Sequence, residues 1–474
     1  MQLKTFDQAL EYVYSFIPTG TKKLYSGKKG LARTKFLLRE LGNPQDKLKI
    51  VHIAGTSGKG STAYLISILL KALGFRVGLH ISPHLVDIRE RVQIDNRMIS
   101  KPKFLKYLNQ LVPAIEKTTE SEYGQPTYAE VLTSLAFYSL QQEGTDYAVI
   151  ETNLGGLLDM TNTVSNPSKL CIITRMGFDH VKILGHRLAD IATQKAGIIK
   201  PGNRVVSLYQ LPQTNQVIED QCQMTHSPLT WVKPSVTFSK VRVSADSTVF
   251  NYELPNYRST QKITWKNLKL GLIGAHQAEN ASLALTALID LAKKDNFQIL
   301  EQLIRGVLNK ASWPGRFEQM KLHGKTLIMD SAHNPQKMSS LIKTLKQVYP
   351  DTKPTFLVSF KHDKNFAKML EMIAPKASKI YLTSFFTSTY DWNHLSAKTD
   401  QMQRVLDRLN FKAIEILPES KTAFVKALIE TENILVVTGS IYFLSEIYPL
   451  LTSSQLTVSS SQKKSDPELR TVNR

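Results

Sequence analysis

The chain has 474 residues, 42% of them hydrophobic, and carries a formal charge of +20. That length and apolar content suit two large domains with real cores, about 150 residues being the usual unit. They exclude a disulfide framework, because only Cys171 and Cys222 are present and lie far apart, and a membrane span, because no charge-free apolar run reaches about 18 residues. The charge suits contact with anionic substrates such as nucleotides, or with nucleic acid. No compact arginine-aromatic patch accompanies it, so nucleic acid ranks lowest. The first residues, Met1 to Asp7, lack the apolar core of a signal peptide, and a cytoplasmic protein is expected.

In chain order, residues 5–17 predict an amphipathic helix with Phe6, Leu10, Val13 and Ile17 on one stripe. A basic segment (Lys22, Lys23, Lys28, Lys29) precedes a second helix over 31–41. Lys49 to Ala54 reads as a strand, Gly55 to Gly60 as a glycine-rich turn, and Ser61 to Leu73 as a buried helix ending at Gly74. Strands are predicted near 75–81, 147–151 and 170–174, with a helix over 128–142. Strands alternating with helices imply a mostly parallel sheet covered on both faces, a P-loop NTPase-like α/β domain. Residues 203–270 carry short β-like runs and few helix signals, and read as a β-rich excursion. Helices return over 278–293 and 299–309. Trp313-Pro314-Gly315 reads as the interdomain connection. Strands at 326–330, 355–359, 379–383, 413–417 and 433–438 then predict a Rossmann-like α/β domain. The expected division is 1–312, 313–452 and a polar, disordered tail at 453–474.

The turn departs from the Walker A template, which places Ser or Thr directly after Lys; here Gly60 separates Lys59 from Ser61 and Thr62. Strand, glycines, lysine and helix still coincide, and a helix opening from such a turn favours an anion. In open α/β sheets, ligands gather outside the carboxyl ends of the strands. Ser82, Glu151 and the Asp179-His180 pair all fall at such ends. A hydroxyl, a carboxylate and an imidazole around a phosphate suggest divalent metal sites, with Mg²⁺ the expected ion. Lys195 lies on the apolar stripe of Leu188, Ile191 and Ala192. Spacing alone favours a snorkelling ammonium; the alternative is a desolvated amine that captures CO₂ as a carbamate.

Ala54-Gly55-Thr56-Ser57-Gly58-Lys59-Gly60-Ser61-Thr62 resembles the A-G-T-N-G-K-G-S-T loop of folylpolyglutamate and dihydrofolate synthases, in the Mur ligase superfamily. Ser82-Pro83-His84-Leu85 with Glu90-Arg91, the run from Glu151 to Asn162, and Asp179-His180 resemble further motifs of that family in order. So do Lys195 to Gly202, His276-Gln277 with Asn280, Pro314 to Glu318, Asp330 to Pro335, and Thr438-Gly439-Ser440. The resemblance covers nearly the whole chain except the tail. It implies an ATP-dependent amide ligase that activates a folate or dihydropteroate carboxylate as an acyl phosphate and joins it to L-glutamate. Ser82, Glu151, His180 and a carbamylated Lys195 would hold two Mg²⁺ ions, with K⁺ a further candidate cofactor. Gly55, Thr56, Ser57, Gly58, Lys59, Gly60, Ser61 and Thr62 would bind the ATP phosphates. Asn280, Arg316, Asp330 and His333 would complete the nucleotide site. Lys59, Glu151, His180 and Lys195 are the implied catalytic set.

The sequence departs from the family pattern at Ser57 (Asn in the pattern), Asn153 (Gly) and Leu157 (Arg). Thr127-Tyr128-Ala129-Glu130 also differs from the stretch associated with the pterin pocket. Candidate acceptor contacts are Thr127, Tyr128, Glu130, Leu158, Asp159 and Met160. These departures keep open a ligase acting on another carboxylate, such as a cell-wall precursor. The charge keeps open a non-catalytic nucleotide- or nucleic-acid-binding protein. A monomer without nucleic-acid or membrane partners is expected.

Overall fold

The computed structural model describes residues 2–18, 27–255, 262–387 and 394–452. Lys22, Lys23 and the expected tail lie outside these residues. The first two helices are α1 (Phe6–Tyr14) and α2 (Gly27–Glu40). The predicted strand at 49–54 is β1 (Ile50–Ala54), buried along its whole length, and it feeds α3 (Lys59–Ala72). There follow β2 (Val77–His80), the short β3 (Gln93–Ile94) and β4 (Arg97–Met98), α4 (Lys101–Glu120), α5 (Tyr128–Gln142), β5 (Tyr147–Glu151) and β6 (Leu170–Ile173). Next come α6 (Val181–Leu184), α7 (Leu188–Ala196), β7 (Arg204–Leu208), α8 (Pro212–Met224) and β8 (Leu229–Val232). These strands form one sheet in the order β4-β3-β2-β5-β1-β6-β7-β8, parallel except at the β3–β4 edge.

Strand residues alternate between two cores, as a period of two requires. Val51, Ile53 and Val149 join Leu65, Ile66 and Leu69 of α3. Ile50, Ala148 and Ile150 join Leu37 of α2 and Leu132 and Leu135 of α5. The apolar surround of α3 is explained by α9 (Ala275–Asp295), which packs in the same cluster.

The β-rich excursion is narrower than expected. It consists of β9 (Phe238–Val243), β10 (Thr248–Leu254) and β11 (Ile263–Leu270), a separate antiparallel sheet. Residues 204–232 instead continue the main sheet. The helix α8 escaped the sequence reading because it is mostly polar, burying only Thr214, Asn215, Ile218 and Cys222.

After α10 (Glu301–Asn309), the second unit holds β12 (Glu318–Leu322), β13 (Lys325–Asp330), α11 (Pro335–Val348), β14 (Thr355–Val358), α12 (Phe366–Ile373) and β15 (Lys379–Leu382). A small hairpin, β16 (Phe386–Thr387) with β17 (His394–Leu395), precedes α13 (Thr399–Arg408), β18 (Ile414–Ile416), α14 (Ser420–Glu430), β19 (Ile434–Thr438) and α15 (Ile441–Thr452). The sheet order is β12-β13-β19-β14-β15-β18, parallel as predicted except for β12. That antiparallel edge was not anticipated, because Glu318-Gln319-Met320-Lys321-Leu322 is too polar to read as a core strand.

Candidate active site

The turn between β1 and α3 is built on glycines where side chains would collide. Gly58 caps α3 at φ +89°, and a Cβ there would lie 2.2 Å from Asn280 Oδ1. The amides of Thr56 and Ser57 donate to Arg175 O at 2.9 and 3.1 Å, so they hold the loop to β6 and are not free for a ligand. The anion-seeking amides are those opening α3. Lys59 Nζ lies 3.6 Å from Glu151 Oε1.

Glu151 ends β5 and is buried. Burial raises its pKa, opposed by Lys59, the Ser82 amide at 3.3 Å and Arg316. Lys195 on α7 is only 4% exposed and donates to Gly55 O at 2.8 Å. The snorkelling reading is therefore wrong: the ammonium turns inward, and desolvation with Lys59 nearby lowers its pKa to about 7. His180 has its pKa lowered to about 4 by desolvation, against the pull of Asp179. Asp179 itself takes Lys364 Nζ at 2.5 Å and Asn334 Nδ2 at 3.2 Å, both from the second unit. Burial works to raise its pKa, but His180, Lys364 and His333 hold it well below the carboxylate range.

From the second unit, Arg316 donates to Gly315 O and Ser331 Oγ. Asp330 accepts the Phe317 and Ala332 amides at 2.8 and 2.9 Å and so shapes the turn that presents Arg316. His333 Nδ1 lies 2.9 Å from Ser331 O. Asn280 Nδ2 donates to Gln277 Oε1 at 2.9 Å. Ser82, Glu151, His180, Lys195, Asn280, Arg316, Asp330 and His333 all line one cavity of about 580 Å³ with the glycine loop from Gly55 to Ser61. Thr62 is fully buried behind it.

Three residues of this cleft escaped the sequence reading. Gln336 accepts from Ser57 Oγ at 2.8 Å and donates to Met176 O at 2.9 Å, tying α11 to the loop. Lys337 and Lys364 bring charge to the same place. Gln336 and Lys337 directly follow the quoted run ending at Pro335, which was the one signal available. Lys364 had none.

The six acceptor candidates line neither this cavity nor the larger one beside it. Tyr128 is wholly buried and stacks on Tyr14. Thr127 and Glu130 form the capping box of α5, and Glu130 also takes both prongs of Arg33 at 2.6 and 2.8 Å. Asp159 accepts the Leu154 and Thr161 amides. Leu158 and Met160 are half-buried beside it.

A second cavity of about 910 Å³ is mainly apolar, with Tyr64, Ile68, Leu85, Met98, Leu303 and Trp313 in its walls. It meets the first at Gly60, Ser82, Glu151 and Arg316. A polar chamber and an apolar chamber thus share one carboxylate and one arginine.

Among the described residues, no group of three or more His, Cys, Asp and Glu is placed to hold a metal. The donors gathered here are instead mixed: a hydroxyl, a carboxylate, a neutral imidazole and an amine. Two of them, the Ser82 hydroxyl and the Glu151 carboxylate, are the oxygen donors that Mg²⁺ prefers, and it takes few protein ligands; the Lys195 amine fits only once converted to a carboxylate such as a carbamate. Gly60 leaves room beside Glu151 Oε2, where a Cβ would approach to 3.3 Å.

Comparison with known proteins agrees with this layout. Residues 53–288 match the Mur ligase middle domain, and residues 315–441 match the Mur ligase glutamate ligase domain. The dihydrofolate synthase/folylpolyglutamate synthase of Bacillus subtilis is 32% identical over 421 residues, 89% of this chain and 94% of that protein. The dihydrofolate synthetase of Saccharomyces cerevisiae is 30% identical, over 88% and 96% of the two chains. The folylpolyglutamate synthase structure from Thermotoga maritima superposes with a TM-score of 0.77 at 29% identity, covering 95% of this chain and 97% of that one. An FPGS solved as a complex with AMPPCP and folate gives 0.77 at 28% identity, covering 95% and 100%. The chain belongs to the folylpolyglutamate synthase/dihydrofolate synthase family of Mur ligases, and it is an ATP-dependent ligase.

Proposed function

We propose that this ligase joins L-glutamate to a folate or dihydropteroate carboxylate. The observation that carries the reading is the meeting of the two chambers at Glu151 and Arg316. ATP occupies the polar chamber, with its phosphates on the amides that open α3 and on Lys59. The acceptor's flat ring system enters the apolar chamber, against the wall made by Tyr64, Trp313 and Leu303. The acceptor carboxylate then stands where the chambers join, facing the γ-phosphate. Its oxygen attacks phosphorus, the bridging P–O bond breaks, and ADP leaves. Carboxylate is a poor electrophile, and phosphorylation supplies the leaving group that the glutamate amine then displaces. Ser82, Glu151, His180 and Lys195, the last as a carbamate, would hold Mg²⁺, which when bound neutralises phosphate charge. Arg316 reaches the same charge from the second unit. The contacts of Asp179 and Gln336 across the cleft keep water from the acyl phosphate.

Two departures from the family pattern have local partners, and Asn153 also lines the polar chamber. Leu157 lies against Gly197, and Asn153 donates to Thr133. The proposed domains are 1–312 and 313–452. No helix among the described residues is long and apolar enough to cross a membrane; a cytoplasmic monomer is the proposed form, and K⁺ remains a proposed activator. The test is purified protein with ATP, Mg²⁺, glutamate and either tetrahydrofolate or dihydropteroate. A product heavier by one glutamate and stoichiometric phosphate are expected. Neither with either acceptor sinks the reading.

A further inference from the structure

Lys337 has no place in the roles assigned so far, yet it faces the cleft. It lines the polar chamber from the first turn of α11. Its charge is felt by Glu151, Asp179, Lys195, Asp330 and His333, on both sides of the cleft. Its hydrogen-bond partner is His333 Nε2 at 3.0 Å. The other ring nitrogen of His333 faces a carbonyl, Ser331 O, and must carry the proton. Nε2 is therefore an acceptor, the imidazole is neutral, and it orients the ammonium without cancelling its charge. Among the described residues, no carboxylate lies within 4.0 Å of Lys337 Nζ. Lys59 and Arg316 add like charge nearby. Asp179 is the one opposing charge felt by Lys337, and it already holds Lys364; several cations sharing a single carboxylate are unfavourable until an anion arrives.

We propose that Lys337 is a further catalytic residue, which donates to the transferred γ-phosphoryl group of ATP and follows it onto the acyl phosphate. This rests on the ligase reading. The position argues for the γ-phosphoryl over the other phosphates. The glycine loop and Lys59 bind from one side, while Glu151 marks where the acceptor carboxylate stands, and Lys337 lines the same chamber from the second unit together with Arg316 and His333. As the acceptor oxygen attacks and ADP departs with the bond electrons, the phosphoryl moves toward the acceptor. A cation carried by the second unit donates to it throughout the transfer, while Lys59 binds from the glycine loop. Burial lowers the Lys337 pKa to about 7, and a phosphate beside it restores the charged form.

The test compares Lys337→Met and Lys337→Gln with the wild type by calorimetric titration with AMPPCP and with ADP. No acceptor is needed, so the result stands apart from the choice of folate. Both variants are expected to bind AMPPCP about ten-fold more weakly while ADP affinity stays within about two-fold. Phosphate release under full substrates falls roughly hundred-fold in kcat, as for loss of one preorganised donor. Hydroxylamine trapping of the acyl phosphate without glutamate falls equally. Thermal melting of the free variants at or above the wild-type temperature is the folding control. Equal weakening of ADP and AMPPCP overturns the proposal. So does unchanged AMPPCP affinity with only a raised KM for glutamate, which assigns Lys337 to the amino acid's carboxylate. If wild type and variants bind AMPPCP alike and wild type makes no product, the ligase reading fails as well.

Discussion

A methyl group on Gly60 would sit 3.3 Å from Glu151 Oε2, closer than ordinary van der Waals contact. The backbone does not object, because Gly60 lies in the first turn of α3 and is absent from the positive-φ positions. Alanine is the better helix former by about 0.5–1 kcal/mol. Gly60→Ala is therefore expected to melt at the wild-type temperature or up to about 2 °C above it. The carboxylate must yield by a few tenths of an ångström at the point where both chambers open. Misplacement of a reacting group by about 1 Å can cost roughly hundred-fold, so a 10- to 100-fold loss of kcat is expected, about 1.4–2.8 kcal/mol of transition-state stabilisation. Phosphate release and thermal melting on the same preparation provide the assay. Turnover within two-fold of wild type refutes the reasoning, and so does a loss of turnover matched by a fall in melting temperature. Gly58→Ala is the contrasting case. With φ +89° and Asn280 Oδ1 at 2.2 Å from the new Cβ, it should lose stability and nucleotide affinity together.

Other outcomes can be read off the cleft. Asp179→Asn leaves Lys364 without its carboxylate and is expected to cost up to about 3 kcal/mol by chemical denaturation. Because the folded-state pKa of Asp179 is depressed, this deficit should hold from pH 8 to about pH 4, then shrink as the wild-type carboxylate protonates; a deficit already fading at pH 6 contradicts the assignment. Only a neutral amine captures CO₂, and with a pKa of about 7 the neutral fraction of Lys195 rises from about a tenth at pH 6 to about nine tenths at pH 8. At equal dissolved CO₂, CO₂-stripped protein should thus regain activity faster at pH 8 than at pH 6, with a CO₂ adduct by native mass spectrometry, and equal rates count against the carbamate. Trp313→Ala removes one of two rings whose centroids lie 4.5 Å apart. It should raise the acceptor KM about ten-fold with the ATP KM unchanged, and the reverse pattern removes the acceptor from that chamber.

The strands were legible because parallel strands buried on both faces are short, β-branched runs bounded by turns, as Tyr147-Ala148-Val149-Ile150-Glu151 illustrates. Polar α8 and edge strand β12 were not, since neither offers a strong apolar pattern. Lys195 shows how spacing misleads. An apolar stripe does not reveal whether a lysine end turns outward or inward, and here Gly55 O decided it. The acceptor candidates were placed by resemblance alone, and packing claims them: a Glu130 that grips Arg33 across 97 residues leaves no local trace of that partner. The same holds for Gln336, whose two partners lie 279 and 160 residues away in the chain.

The fork made by Gln336 has a mechanical consequence. One amide group grips a hydroxyl of the glycine loop and a carbonyl of the segment after β6 at the same time. Any swing of the second unit away from the first must pull on Ser57, two positions from Lys59. While that hydrogen bond holds, separation of the two units is transmitted to the glycine loop. Opening of the cleft and a pull on the glycine loop are thereby coupled through one amide side chain, alongside the Asp179 contacts to Lys364 and Asn334.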